Sequence, residues 1–185
     1  CIRDSFAIAL TWVKNNASKY NISALVSPVG VDVPLGGTSA VACNTSLPFV
    51  QAINNLIASG IPVMFPTGND FNYSAINNPA CLPGVIAISA IDNVGRLALY
   101  ANYTPKVDFA APGNLNVVTF GGATKAQTGT SLAVGYFGSA WVAIQNAKNL
   151  SNTDQYNLIK KTATPYTNIM VKQNVLDINI AKALQ

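Results

Sequence analysis

The sequence predicts an α/β fold with a mostly parallel sheet. Two observations favour it: amphipathic helical patterns alternate with short apolar runs, and those runs are continuous. A continuous apolar run of about four to eight residues is typical of a strand that is buried on both faces, and alternation with helices indicates a parallel sheet between helical layers. The 185 residues, half of them hydrophobic, suffice for one domain with a sizeable core.

The first half of the chain contains two predicted helices and two predicted strands. Pro28 and Gly30 end the first strand, and Gly60 occupies the C-cap position of the second helix. In order, these elements are a helix over 4–19, a strand over 22–26, a loop over 31–46, a helix over 49–59 and a strand over 61–65.

The second half continues the same alternation. The uncharged stretch 126–147 is too polar at its start for a membrane span, so we interpret it as a loop followed by a buried helix. In order, the predicted elements are strands over 85–90 and 107–110, a turn at Gly121–Gly122, a long helix after Ser131, a helix from Ser151 or Thr153 to Thr162, and a helix over 178–184.

Composition excludes several functions. The chain has no His, which excludes a histidine base or a histidine-ligated metal supplied by this chain alone. The net charge of +4 comes from scattered Lys and Arg, whereas nucleic-acid surfaces cluster them, so we expect no nucleic-acid partner. We also expect no membrane span. The N-x-S/T sequons accept glycans only if the source organism adds them; they lie at Asn16, Asn21, Asn44, Asn72, Asn102 and Asn149.

The three cysteines, Cys1, Cys43 and Cys81, fit no zinc-ligand spacing. One disulfide with one cysteine left over would suit an exported protein. Three buried thiols are the alternative, and the spacing leaves both open.

Two short motifs follow predicted elements at positions where a parallel sheet carries active groups. The segment 67–70, Thr-Gly-Asn-Asp, comes directly after a strand, and the amide of Asn69 could donate to a developing oxyanion. A plain Gly-Asn turn is the alternative. The segment 129–133, Gly-Thr-Ser-Leu-Ala, opens the long helix, where free N–H groups and the helix dipole would stabilise an anion at Ser131. A simple N-cap is the alternative.

Taken together, the motifs resemble those of the subtilisin-like serine peptidases, the subtilases. The family's G-T-S-M-A is similar to residues 129–133, and its G-N oxyanion motif to Gly68-Asn69. Residues 85–92, 107–113 and 175–179 resemble the family's later strand, its D-x-x-A-P-G turn and its closing helix, in the same order. The resemblance implies a subtilisin-like three-layer α/β fold.

The resemblance also implies roles for individual residues. Ser131 would be the nucleophile and Asn69 the oxyanion donor. Cys43 and Cys81 would form a disulfide, as in some exported subtilases. The backbone of Ser27, Val29 and Gly30 would pair with a peptide or protein substrate as an added strand. The pocket for the residue before the scissile bond would be lined in part by Phe65, Thr67 and Gly68, and Thr130 would also bind substrate.

The family's catalytic Asp and His both precede the region that this sequence matches. We therefore interpret residues 1–185 as a partial subtilisin-like domain that is cut at its N-terminus, with Asp and His on a missing segment or a companion chain. Without a histidine, nothing here activates Ser131 in the usual way, so this segment alone should be close to inactive. We expect an exported protein, no metal site and no cofactor, with calcium possible in the complete domain.

Three departures from the family pattern favour an alternative function. Pro28 removes a backbone donor from the expected substrate edge. Gly135 and Tyr136 replace the Pro and His that usually follow the nucleophile. These residues would suit a non-catalytic subtilase-like module that binds peptides or a partner subunit. An unrelated α/β nucleotide-binding protein is a weaker alternative, because the glycine pairs lack the G-x-G-x-x-G order.

Overall fold

The structure is a computed structural model that describes residues 2–31, 43–168 and 173–185. Its helices are α1 (Ile2–Tyr20), α2 (Pro48–Ala58), α3 (Thr130–Lys148), α4 (Asn152–Thr162) and α5 (Ile180–Leu184). Its strands are β1 (Leu25–Val26), β2 (Val63–Pro66), β3 (Ile86–Ile91), β4 (Phe109–Pro112), β5 (Asn114–Val118), β6 (Thr124–Thr128), β7 (Thr164–Asn168) and β8 (Gln173–Asp177).

Six strands form one sheet in the order β1-β2-β3-β4-β8-β7. The pairs from β1 to β8 are parallel, and only β7 runs antiparallel to β8. The predicted α/β fold with a mostly parallel sheet is therefore confirmed. Within the described residues, β1 pairs with β2 alone, so one edge of the sheet is open on the side of β1.

Helices cover the sheet on both faces, which gives two cores. Successive residues of β2 point to opposite faces, so Met64 packs with α3 and Val63 packs with α1 and α2. The α3 side is built around Trp141 and Phe137, both fully buried. Strands β2 and β3 are buried at every position because both faces of the sheet are covered there.

Two antiparallel pairs were not predicted. The hairpin β5–β6 has exposed and half-buried residues on most positions, so it lacks the apolar run that marks a core strand. The pair β7–β8 follows α4 where we predicted no strand. The stretch 126–147 is thus a hairpin strand and then α3, and α3 is not buried all round: Val142 is 42% exposed. Residues 32–42 of the predicted loop lie outside the described residues.

The last strand carries a carboxyl group whose ionisation opposes folding. Burial raises the pKa of Asp177 to about 6 from its ordinary value of 3.8, and a hydrogen bond from the Ile178 N–H partly offsets the rise. Because the folded pKa lies above the unfolded one, the folded chain holds the proton longer. The contribution of Asp177 to stability is therefore most favourable below about pH 4 and is lost as the pH rises through about 6.

We expect Asp177→Asn to raise the melting temperature at pH 7 and to change it little at pH 4. The carboxyl is only half-buried, so we discount the gain to about 1 kcal/mol, or ~2–4 °C for a chain of this size. Thermal melts of both proteins from pH 4 to 7 measure it. A difference between variant and wild type that stays constant over this range would contradict the assignment.

Candidate active site

Ser131 is the second residue of α3, at the carboxyl end of the parallel strands. Its hydroxyl donates to the carbonyl oxygen of Pro28 at 3.1 Å, so the segment after β1 contacts the start of α3. The first N–H groups of a helix have no intrahelical acceptor, and the helix dipole is positive there. Negative charge that develops near Ser131 Oγ is therefore stabilised by the helix itself.

Asn69 lies just after β2, and its side chain caps α3 from a distant part of the chain. Its Oδ1 accepts from Thr130 N at 2.9 Å and from Thr130 Oγ1 at 3.0 Å. Gly129, the N-cap residue, has no side chain with which to cap the helix. Because Oδ1 is used twice, the amide orientation is fixed. Within the described residues, Nδ2 of Asn69 has no hydrogen-bond acceptor and lies on an exposed side chain.

The loop that carries Asn69 is held by a fully buried amide, that of Asn102. Its Oδ1 accepts from the N–H groups of Asp70 at 2.9 Å and Asn72 at 3.0 Å. Its Nδ2 donates to Thr67 O, to Asp70 Oδ2 and to Asn77 Oδ1 at 2.8–3.1 Å. Asn102 thus binds the chain on both sides of Asn69. A buried amide with every group satisfied rigidifies the backbone around it.

The residues expected to contact substrate fall into two groups. Ser27, Val29 and Gly30 follow β1, and the backbone continues into a bridge in which Val31 N donates to Asn78 O at 2.7 Å. Across from them lie Thr67, Gly68 and Thr130, with Gly68 N donating to Thr130 Oγ1 at 3.2 Å. These residues, from three parts of the chain, come together beside Ser131.

Phe65 does not lie where we expected it, beside the substrate. Its side chain is fully buried on the other face of the sheet, where its ring centroid lies 6.1 Å from that of Phe6. The cause is strand alternation: Phe65 points to the same face as Val63, toward α1 and α2. The ring therefore cannot contact a substrate beside Ser131.

A disulfide joins Cys43 to Cys81, with the two Cα atoms 5.7 Å apart. The side chain of Asn78 donates to Asn44 O at 2.7 Å beside it. The disulfide and this hydrogen bond tie the segment before α2 to residues 78–81. They thereby support the backbone next to the residues that are expected to contact substrate.

Comparison with known proteins identifies the family. The model of the subtilase family matches residues 14–177.

The chain belongs to the subtilase family.

Its relatives are proteases that are longer than this chain. Subtilisin BL of Lederbergia lenta is 30% identical over 162 residues, which cover 86% of this chain and 54% of the relative. The cuticle-degrading serine protease of Arthrobotrys oligospora is 34% identical over 129 residues, or 67% of this chain and 28% of the relative. This subtilase thus spans about half or less of the curated relatives it matches.

Solved structures have the same fold. The prenylagaramide maturation protease PagA superposes with a TM-score of 0.74 at 21% identity, covering 96% of this chain and 66% of that one. Sphericase superposes with a TM-score of 0.73 at 21% identity, covering 87% and 55%. At this identity the likeness is one of fold, and it confirms the subtilisin-like architecture.

The carboxylate of Asp108 takes part in hydrogen bonds that link structural elements of the subtilase. Asp108 lies at the amino end of β4, where Oδ2 accepts from Ala87 N at 2.8 Å and Oδ1 accepts from the Tyr156 hydroxyl at 2.7 Å. Burial and the Asp108 carboxylate raise the pKa of Tyr156. Over residues 2–31, 43–168 and 173–185, no three His, Cys, Asp or Glu side chains lie close enough to bind a metal. In the same ranges no helix is both long and apolar enough to cross a membrane.

Sequence reasoning missed the part that Asn77 and Asn102 play in this site. Asn102 lies in an N-Y-T sequon, which drew attention only as a glycosylation signal. Both Asn102 and the sequon residue Asn72 are fully buried, so neither is available to a glycan in the folded subtilase. A polar residue placed between buried apolar positions is the one sequence feature that could have indicated Asn102.

Proposed function

We propose that this chain is the C-terminal portion of a subtilisin-type serine endopeptidase that is exported from the cell. Ser131 Oγ would attack the peptide carbonyl, lose its proton to a histidine outside this chain and form an acyl-enzyme. Nδ2 of Asn69 would donate to the oxyanion, and water would release the acyl group. The names of the relatives, among them an extracellular protease of Xanthomonas campestris, support export.

One observation carries this proposal, the clamp between Asn69 and Thr130. Two hydrogen bonds fix Oδ1, so the donor side of the amide is left for a ligand next to Ser131. A structural N-cap alone would need only the acceptor, and Ser or Asp would serve as well. An amide with a preset donor beside a helix-terminal serine is what acyl transfer requires.

The proposal also needs a companion that brings Asp and His, either an upstream segment or a separate chain. The surface beside Ser131 suits such a companion. The outer face of α3 exposes Gly135, Ser139 and Val142. A cleft of about 610 Å³ runs along it between Ser131 and Ile180. Together with the open edge of β1, this surface is apolar and offers unpaired backbone groups.

The test is labelling of the intact gene product with a fluorophosphonate, which reacts only with an activated serine. We expect one labelled site, and we expect Ser131→Ala to remove the label. Ser139→Ala, on the exposed face of the same helix, is the matched control and should label normally. A folded gene product that carries both Asp and His and still takes no label would contradict the proposal.

The second candidate function is a non-catalytic module that binds peptides. The hydrogen bond from Ser131 Oγ to Pro28 O favours it, because the hydroxyl is occupied by a carbonyl rather than by a base. Binding of a peptide to the Ser131→Ala variant with unchanged affinity, together with no labelling of the wild type, would support this function.

A further inference from the structure

A second asparagine, Asn77, sits where the side chain of a bound substrate would go. In an acyl-enzyme the carbonyl carbon is bonded to Ser131 Oγ and its oxygen faces Asn69 Nδ2. The residue that supplies this carbonyl lies next to Pro28, whose carbonyl oxygen is 3.1 Å from Ser131 Oγ. We place its side chain between the segment Ser27–Gly30 and the segment Thr67–Gly68, the two groups of residues that are expected to contact substrate.

Asn77 lies close to both segments. A Cβ placed on Gly30 would be in van der Waals contact with Asn77, 3.4 Å from both its Cβ and its Nδ2. A Cβ placed on Gly68 would overlap the amide of Asn77. Asn77 therefore occupies the space into which a side chain on either glycine would project, and only 4% of its surface is exposed. No room for a long side chain is left between the two segments.

Asn77 is also held in place. Its N–H donates to Thr67 O at 2.8 Å, and its Oδ1 accepts from Asn102 Nδ2 at 3.1 Å. To swing aside, Asn77 would have to give up its hydrogen bond with the fully buried amide of Asn102, which has a cost inside a protein. The following residue, Asn78, is anchored by its own backbone bond from Val31.

We infer that Asn77 restricts the substrate of this peptidase to chains with a small residue, Gly, Ala or Ser, before the bond that is cut. The inference rests on the proposed function and names its substrate class. Asn77 acts as a specificity-determining residue because it limits the depth of the space that receives the substrate side chain. Its amide also makes the end of that space polar rather than apolar.

The test compares cleavage of peptides that differ only in the residue before the bond, using the intact gene product. We expect kcat/KM for Ala to exceed that for Phe or Leu by about 10²-fold, since each excluded methylene costs on the order of 10-fold or more. Asn77→Gly should raise the Phe-to-Ala ratio by about 10–100-fold. Asn77→Ser serves if the glycine variant does not fold, with a smaller rise expected. Asn93→Gly, in an exposed turn, should leave the ratio unchanged.

The outcomes separate this inference from the proposed function. Fluorophosphonate labelling of Ser131 with equal cleavage after Phe and Ala would overturn the inference and leave the peptidase assignment standing. The inference would also fall if both Asn77 variants folded, by circular dichroism, and kept the wild-type ratio. If Ser131 took no label and no peptide were cleaved, the peptidase assignment and the inference would fall together.

Discussion

Residues 1–185 on their own are expected to hydrolyse peptides about 10⁴–10⁶ times more slowly than the same chain supplied with its Asp and His, a range that comes from triad removal in subtilisin, a relative of this chain. The physical reason is the state of the nucleophile. The acceptor of the Ser131 hydroxyl is the Pro28 carbonyl, which cannot take up a proton at neutral pH. The sequence contains no His that could replace it. The proposed oxyanion donor, Asn69, and the helix dipole would remain and would account for whatever rate is left.

The measurement compares turnover of one peptide by the isolated chain and by the complete gene product. Far-UV circular dichroism of the isolated chain, run alongside, separates lost chemistry from lost folding. Rapid hydrolysis by the isolated, folded chain that disappears in Ser131→Ala would mean that another base activates the serine.

Asn69→Ala in the complete protein is expected to lower kcat by about 10²–10³-fold with little change in KM; this range was itself measured on an oxyanion donor of subtilisin. The donor acts on charge that exists only in the transition state, so binding of the ground state is affected little. The alanine variant also loses the cap on α3, which costs about 1 kcal/mol of stability.

Asn69→Asp separates the two roles of this side chain. A carboxylate still accepts from Thr130 N and Oγ1 but cannot donate, so α3 stays capped while the oxyanion loses its partner. We expect kcat to fall at least as far as in Asn69→Ala, with a smaller loss in melting temperature. Asn93→Asp is the exposed control. A fall in kcat of less than 10-fold in both variants would show that Asn69 does not take part in the chemical step.

The parallel strands of the core could be predicted well because a strand that is buried on both faces is a continuous apolar run in the sequence. Strands such as β3 are apolar at nearly every position, and α2, predicted over 49–59 with Gly60 as its C-cap, covers Pro48–Ala58 with Ser59 as its C-cap. The hairpin β5–β6 could not be predicted, since its strands are stabilised by pairing with each other and bear few buried side chains. The first strand is shorter than predicted, because its pairing with β2 covers only Leu25 and Val26.

The site was predicted in part, by its motifs. Gly68-Asn69 and Thr130-Ser131 are adjacent in space, as expected, although 61 residues separate Asn69 from Thr130. The parts that position them were not predicted. Asn77 and Asn102 act through contacts between segments that are distant in the chain, and neither residue type nor spacing reveals such contacts. Phe65 was assigned to the substrate side by the family resemblance, and a uniformly apolar run does not indicate which face of the sheet a strand residue points to.

The buried amides of Asn72 and Asn102 bear on how this protein can be produced. Both lie in sequons, and a eukaryotic secretory pathway attaches glycans while the chain is still unfolded. A sugar on Asn102 would occupy the position from which its amide binds Thr67, Asp70 and Asn77. A sugar on Asn72 would displace the turn in which its Oδ1 accepts from the N–H groups of Ser74 and Ala75. If a yeast or insect-cell host glycosylates either asparagine, we expect a chain in which the loop that carries Asn69 cannot close, whereas a bacterial host leaves both amides free to fold.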